Sequence, residues 1–312
     1  MKNYVGIDIG GMTIKGIICD GEGNVLAEGT IVTGCELGGE NMCKNIAILV
    51  DNMYANCNAD RHLAAAGVGC PGLIDSKNGV VVFAGNLGLN NFPLVRVLEE
   101  MIKIPVKITN DANAAALGEA KFGAGKDYSD SILITLGTGV GGGIVIGGEL
   151  FEGNKSAGAE IGHMVIERHG NHCNCGRRGC FETYCSATAL MKKTREVMED
   201  NPGSEMWKTY TSETATGKTA FDYYDTDYAA KEVVDWYEKY LACGIANLAN
   251  IFRPQVIMLG GGVSAQGENL SKPLQKLVDK ELFGGTDFAP VKVVTASLGG
   301  RAGAFGAAAL AM

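Results

Sequence analysis

The sequence predicts an α/β chain of two domains with similar cores, and three observations predict it. Short apolar runs of strand length alternate with stretches of helical spacing along the chain. A strand, a glycine-rich turn and a second strand occur twice, at Gly10-Gly11 and about 125 residues later at Gly137–Gly143, which reads as an internal repeat. The length, 312 residues, supplies a buried core for each half.

The first half opens with strands over Tyr4–Gly10, Thr13–Cys19 and Val25–Val32. Tight turns join them, so they form an antiparallel meander. Residues 39–56 carry apolar positions at helical spacing. Leu63–Cys70 is a strand that runs into the turn Pro71-Gly72. A short helix follows over Pro93–Lys103, then a strand over Val106–Thr109. Ala112–Lys121 is rich in strong helix formers. The second half repeats the opening: strand Ser131–Leu136, the glycine turn, then strand Ile144–Ile146, which continues through Gly147-Gly148 to Leu150. Helices are expected over Ala187–Glu199 and Tyr228–Phe252, the latter ending before Arg253-Pro254. The polar stretch between them, 201–224, reads as an insertion. A strand at Val256–Leu259 leads into Gly260–Gly262 and another helix, and Val291–Ala296 is the last strand. This gives an N-terminal α/β domain at 1–110 and a larger C-terminal α/β domain at 111–300. The small-residue helix 301–312 is expected to pack back on the first.

The formal net charge of −8 argues against a nucleic-acid partner, because a phosphate backbone demands a basic surface. Ten cysteines without an export signal point to a reducing, cytoplasmic setting. No apolar run approaches the ~20 residues of a membrane span, so no membrane partner is expected.

The stretch Gly158–Glu182 is the richest in chemistry, with three of the four histidines and three of the ten cysteines. His163, Cys173, Cys175 and Cys180 have the spacing His-x9-Cys-x-Cys-x4-Cys. Three thiolates and an imidazole are a complete tetrahedral set for a structural Zn²⁺, with no position left for water. His169 and His172 are close enough to replace His163.

Glycine turns between strands bring backbone N–H groups within reach of a phosphate. Gly10, Gly11 and Thr13 form one such turn and Gly137, Thr138 and Gly139 a second, one per domain, able to clamp a triphosphate. Lys15 is expected near the phosphates, and Asp8 is expected to hold Mg²⁺ through water. Gly137-x-Gly139-x-x-Gly142 also matches a dinucleotide fingerprint, but that fingerprint needs a helix after the glycines, and Ile144–Ile146 reads as strand. Ser212–Thr219 misses the phosphate-loop pattern at its first glycine and has no strand before it. Asp111, at a strand-to-helix junction, reads from spacing alone as a helix cap or as a candidate general base, with the cap favoured.

Three motifs carry a resemblance: Glu-x-Gly-His at Glu160–His163, Cys-x-Cys-Gly-x-x-Gly-Cys-x-Glu at Cys173–Glu182, and Asn-Asp-x-Asn-Ala from Asn110. They resemble the signature of the ROK family of sugar kinases and sugar-responsive repressors, and the similarity covers nearly the whole chain, least at 201–224. The resemblance implies the two-domain actin-like ATPase/sugar-kinase (ribonuclease H-like) fold, with an interdomain cleft and a zinc-binding loop at 158–182. It implies an ATP-dependent hexose kinase that phosphorylates the 6-hydroxyl of glucose, with Mg²⁺ accompanying ATP. Asp111 matches the family's base. Asn86, Asn110, Glu160, His163 and Glu182 are then expected to hold sugar hydroxyls, His163 using one ring nitrogen for zinc and the other for sugar. Gly260 and Gly261 are expected to line the adenosine pocket. Met12 departs from the small residue that the family pattern places in the first turn. A homodimer is implied. The alternatives are an N-acetylmannosamine or N-acetylglucosamine kinase and a sugar-responsive repressor. Such repressors carry an added N-terminal DNA-binding head, for which a strand starting at Tyr4 is expected to leave no room.

Overall fold

A computed structural model describes residues 2–57 and 62–312. Contacts divide the chain into two compact units: Met1–Leu133, Gly143–Ala159 and Ser297–Met312 form the first, and Ile134–Gly142 and Glu160–Ala296 the second.

The first unit begins with β1 (Asn3–Ile9), β2 (Thr13–Asp20) and β3 (Val25–Val32), followed by α1 (Gly39–Asn56) and β4 (Leu63–Cys70). Three short strands come next, β5 (Leu73–Asp75), β6 (Val80–Ala84) and β7 (Leu89–Phe92), then α2 (Leu94–Ile102), β8 (Val106–Asn110) and α3 (Asp111–Phe122). The main sheet has the order β3-β2-β1-β4-β8. The first three strands are the expected antiparallel meander, with Ile7 opposite Gly16 and Gly16 opposite Gly29. β4 pairs in parallel with β1 and β8. The glycine pair leaves a shallow place in the sheet. Leu49 and Met53 of α1 fill it, so closely that a Cβ on Gly16 or Gly29 would crowd them. These belong to an apolar stripe on α1, Met42, Cys43, Ile46, Leu49, Val50 and Met53, spaced as one helical face. The sheet β5-β6-β7 is small and antiparallel.

The next strands are β9 (Ser131–Leu136), β10 (Val140–Ile146) and β11 (Glu149–Phe151). β10 begins earlier than the sequence reading places it, and Gly141–Gly143 are strand rather than turn. The physical reason lies in α3: a Cβ on Gly143 would collide with Ala116 and the Ala112 carbonyl, so a glycine strand is what lets this helix come close. Gly147 and Gly148, with φ of 60° and 80°, make the tight turn to β11.

The second unit continues with α4 (Glu182–Cys185), α5 (Ala187–Asp200), α6 (Thr219–Asp222), α7 (Tyr228–Phe252), β12 (Val256–Gly260), α8 (Glu268–Glu281) and β13 (Lys292–Thr295). β9, β12 and β13 are neighbours in that order, with β12 and β13 parallel. α7 is the spine of this unit. Its Tyr237 is fully buried and donates to the Cys185 carbonyl at 2.8 Å. Its Gly244 lies against the Phe181 ring, and its Tyr240 stacks on Tyr184 at 4.3 Å. The short α4 is thereby fixed to the longest helix. The polar stretch 201–224 is tied to the start of α7 as well. Asp227 caps the helix by accepting the Ala229 N–H at 2.8 Å, and its other oxygen accepts the Glu205 N–H at 2.8 Å.

The last helix, α9 (Ala302–Ala311), is apolar throughout and lies in the first unit. A Cβ on Gly6 of β1 would strike the Ala304 carbonyl, and one on Gly67 of β4 the Ala307 carbonyl. On α3, Gly118 and Gly306 of α9 meet backbone to backbone. This seam explains where the first unit departs from the sequence reading. That reading ends the unit at residue 110, yet α3 cannot be separated from α9. The return of the chain is anchored by Glu119 of α3, a fully buried carboxylate that accepts the N–H groups of Ala124, Ser297 and Leu298 at 2.9, 3.0 and 2.7 Å.

Candidate active site

In the first unit the candidate residues gather at the ends of β1 and β8. β1 runs into the turn at Gly10, whose N–H donates to the Thr13 carbonyl at 3.0 Å. Thr33 braces the turn from β3, its hydroxyl donating to Gly10 O at 2.7 Å and its N–H to Met12 O at 2.9 Å. Thr33 has no signal in the sequence beyond closing a strand. Met12, the departure from the family pattern, is 86% exposed, so its bulk meets no neighbour. Asn86 sits in a single turn, Gly85–Leu87, and its Nδ2 is the nearest side-chain atom beside Gly11.

Asp8, Lys15 and Asp111 form the charged part of this cluster. Lys15 donates from Nζ to Gly300 O at 3.0 Å, at the entry to α9. The Asp8 carboxylate lies against Gly303, where a Cβ would collide with it. Burial pushes Asp8 up to about 6; the Asp111 charge adds to the rise and the Lys15 ammonium opposes it. Burial also raises Asp111, against the Ala112 N–H, which holds the carboxylate form. The cap of α3 is Asn110, whose Oδ1 accepts from Ala112 N at 2.9 Å and Asn113 N at 3.4 Å. Its Nδ2 donates to Gly72 O at 3.1 Å, so the amide expected to hold sugar already has a structural task.

In the second unit the candidate residues gather at the end of β9. Gly137 N–H donates to Gly139 O at 3.0 Å. The carbonyls of Gly137 and Thr138 are taken by Ala187 N and Thr188 Oγ1, each at 2.8 Å. Glu182 Oε2 accepts the Val140 N–H at 3.3 Å. A Cβ on Gly162 would strike Val140 O, so the turn carrying His163 rests on the same residue. Gly261, at φ 82°, packs on the Leu136 backbone at the foot of the turn. The glycine turn Gly137–Gly139, the loop with Gly260 and Gly261, and the Glu-x-Gly-His motif thus share the segment Leu136–Val140. Glu160 is exposed beside them and accepts the His163 N–H on its carbonyl at 3.1 Å. After the glycines comes β10, not a helix, which removes the dinucleotide reading.

His163, Cys173, Cys175 and Cys180 place their ligand atoms within 4.8 Å of one another. Cys175 Sγ and Cys180 Sγ are 3.6 Å apart, as are Cys173 Sγ and His163 Nδ1. Sulfurs held tetrahedrally at ~2.3 Å from zinc stand about 3.8 Å apart, so the donors already trace a zinc-sized tetrahedron. The structure selects His163 over the two other histidines; His172 instead lies against Arg178. His163 turns Nδ1 to the sulfurs, with Glu182 Oε1 3.9 Å from that nitrogen and 3.4 Å from Cys173 Sγ. The donor set fits a structural Zn²⁺.

Comparison with known proteins shows the family. Residues 4–312 match the ROK family. A glucokinase of Halalkalibacterium halodurans is 41% identical over 277 residues, covering 88% of this chain and 84% of the relative. A glucokinase of Streptomyces coelicolor is 35% identical over 315 residues, covering 98% and 96%. Among solved structures, a ROK family glucokinase from Streptomyces griseus in complex with glucose and AMPPNP superposes with a TM-score of 0.81 at 35% identity, over 99% of both chains.

Proposed function

The chain belongs to the ROK family and is an ATP-dependent glucokinase, and we propose a role in that reaction for each residue of the two clusters. Asp111 is the general base. It takes the proton from the 6-hydroxyl of glucose as that oxygen attacks the γ-phosphorus; the bond to the β–γ bridging oxygen breaks and ADP leaves. The carboxylate suits the task because burial raises its proton affinity while the Ala112 N–H keeps the ionised form available. That Asn110 reaches both Ala112 N and Asn113 N is the observation that carries this reading, since the cap of α3 does not require Asp111.

Glu160, His163 and Glu182 hold sugar hydroxyls, His163 through the ring nitrogen that faces away from the sulfurs, and Asn86 and Asn110 add contacts. The turns at Gly10, Gly11 and Thr13 and at Gly137, Thr138 and Gly139 hold the phosphates, and Gly260 and Gly261 the adenosine. Lys15 and Asp8 complete the phosphate site; Asp8 would hold Mg²⁺ through water, and that ion supplies charge neutralisation on the phosphates. Zinc, when bound by its four ligands, has no open position and supplies rigidity rather than reactivity. Among the described residues no helix is long and apolar enough to cross a membrane. A cytoplasmic homodimer belongs to the same reading, supported by the family resemblance, and light scattering of the purified protein tests the assembly.

The decisive experiment is Asp111→Asn in an ADP-release assay over glucose, mannose, fructose and the N-acetylhexosamines. The wild type is expected to favour glucose. The variant is expected to lose about 10²–10⁴-fold in turnover while still binding glucose. Undiminished turnover would remove Asp111 from the role.

A further inference from the structure

Glu152 has no place in the clusters above, yet its carboxylate holds two chain segments together inside the first unit. Oε1 accepts the Thr109 hydroxyl at 2.6 Å and Oε2 accepts the Ser76 hydroxyl at 2.8 Å. Bonds to an ionised carboxylate at this length are among the stronger neutral-to-charged contacts a protein makes. Thr109 is fully buried and stands two residues before Asp111. Ser76 follows β5, four residues after Gly72, whose carbonyl receives the Asn110 amide. The two residues preceding Asp111 are therefore tied down on separate partners, Thr109 to Glu152 and Asn110 to Gly72.

The segment that presents Glu152 is strained. Lys155, Ser156 and Ala159 have φ of 51°, 58° and 62°, the left-handed region that costs a residue with a side chain of order 1 kcal/mol or more. Glycine is used at 153 and 158 but not at these three positions. Such strain persists where the surroundings over-determine it. Here the Glu152 carbonyl accepts the Gly158 N–H at 2.8 Å, and the Ser156 hydroxyl meets that of Ser76.

We propose that Glu152 is a positioning residue for phosphoryl transfer: through Thr109 and Ser76 it fixes the β8–α3 junction that presents Asp111. This rests on Asp111 being the base. Misplacement of a reacting group by an ångström costs on the order of 10²-fold in rate, so the effect belongs in kcat and leaves the KM for glucose little changed. A merely structural carboxylate would lower thermal stability and spare kcat.

The test is a double-mutant cycle with E152Q, D111N and the double variant, each measured for kcat, KM and Tm at a temperature where all are folded. E152Q alone is expected to lower kcat roughly 10-fold or more, with KM for glucose within about twofold. Introduced into D111N, it is expected to leave the residual rate unchanged, because the group it positions is gone. Thr109→Ser, which keeps the hydroxyl, is expected to retain kcat, and Thr109→Val to match E152Q. The proposal is overturned if E152Q lowers Tm with kcat intact, or if it reduces the D111N residual rate by the same factor as the wild type. If D111N itself keeps full turnover, the base assignment fails instead, and the cycle shows that separately.

Discussion

Asn110 Oδ1 accepts the Ala112 N–H at 2.9 Å, and Asp111 Oδ1 shares that donor at the same distance. Two neighbouring side chains compete for one orphan donor at the start of α3. Asn110 also reaches Asn113 N, so the cap stands without Asp111. Asn110→Ala should therefore cost about 1–2 kcal/mol of unfolding free energy, with Asn110→Asp losing much less. Urea denaturation of the three proteins decides this; equal midpoints would show that Asp111 caps the helix after all.

The pH profile of the reaction carries the signature of the base. A general base works only when ionised, and burial raises Asp111. As pH falls through that raised value, kcat/KM should fall with it, so the acid limb should lie above the ordinary carboxylate value of ~4. Burial pushes Asp8 beside it up to about 6, the Asp111 charge adding to the rise, so its proton overlaps the same limb. Asp8→Asn should simplify the limb to a single step. An acid limb at pH 4 or lower contradicts the assignment.

Asp8 also sets stability against function. Its carboxyl rises from 3.8 to about 6 on folding, so between those values the folded chain binds more protons than the unfolded one. Stability from this group is present at low pH and is lost as pH rises from about 4 to 6. Asp8→Asn should raise the unfolding free energy at pH 8 by on the order of 1–3 kcal/mol and lower ATP-dependent turnover. The gain should shrink at pH 4. A variant less stable than the wild type at pH 8 would show that the charge is not the unfavourable element here.

Removal of the metal should loosen one region of the second unit. Elemental analysis should find about one zinc per chain, as four closed ligands require. Cys175→Ser should lose the metal and lower Tm, whereas Cys43→Ser, at a buried position outside the cluster, should keep it. Because His163 belongs to the cluster and Glu182 stands against it, the KM for glucose should rise more than the KM for ATP. Equal glucose kinetics with and without metal would separate the cluster from sugar binding.

Much of this architecture was legible in the residues. The boundaries of α7 follow from apolar spacing and from the Arg253-Pro254 stop, and the opening meander from three apolar runs with tight turns between them. The small sheet β5-β6-β7 was not, because its strands are three to five residues long and carry no alternation to speak of. The glycines at 141–143 look like a turn in one dimension; only in three does Gly143 show itself as a strand position crowded by α3. The zinc donors announced themselves by type, but spacing could not rank His163 above His169 and His172, since that choice depends on how Gly162 rests on Val140. Thr33 and Glu152 act through contacts far along the chain and leave no local pattern at all.

The seam of Gly6, Gly67 and Gly118 against α9 has a consequence for biogenesis. The piece that seals the first unit is separated from its strands by the entire second unit in the order of synthesis. A nascent chain on the ribosome must therefore carry an unsealed sheet, with Ile17 and Cys19 awaiting Phe305 and Ala308, while the later unit emerges and folds. The half of the enzyme made first is the half finished last, and chaperone dependence should concentrate there.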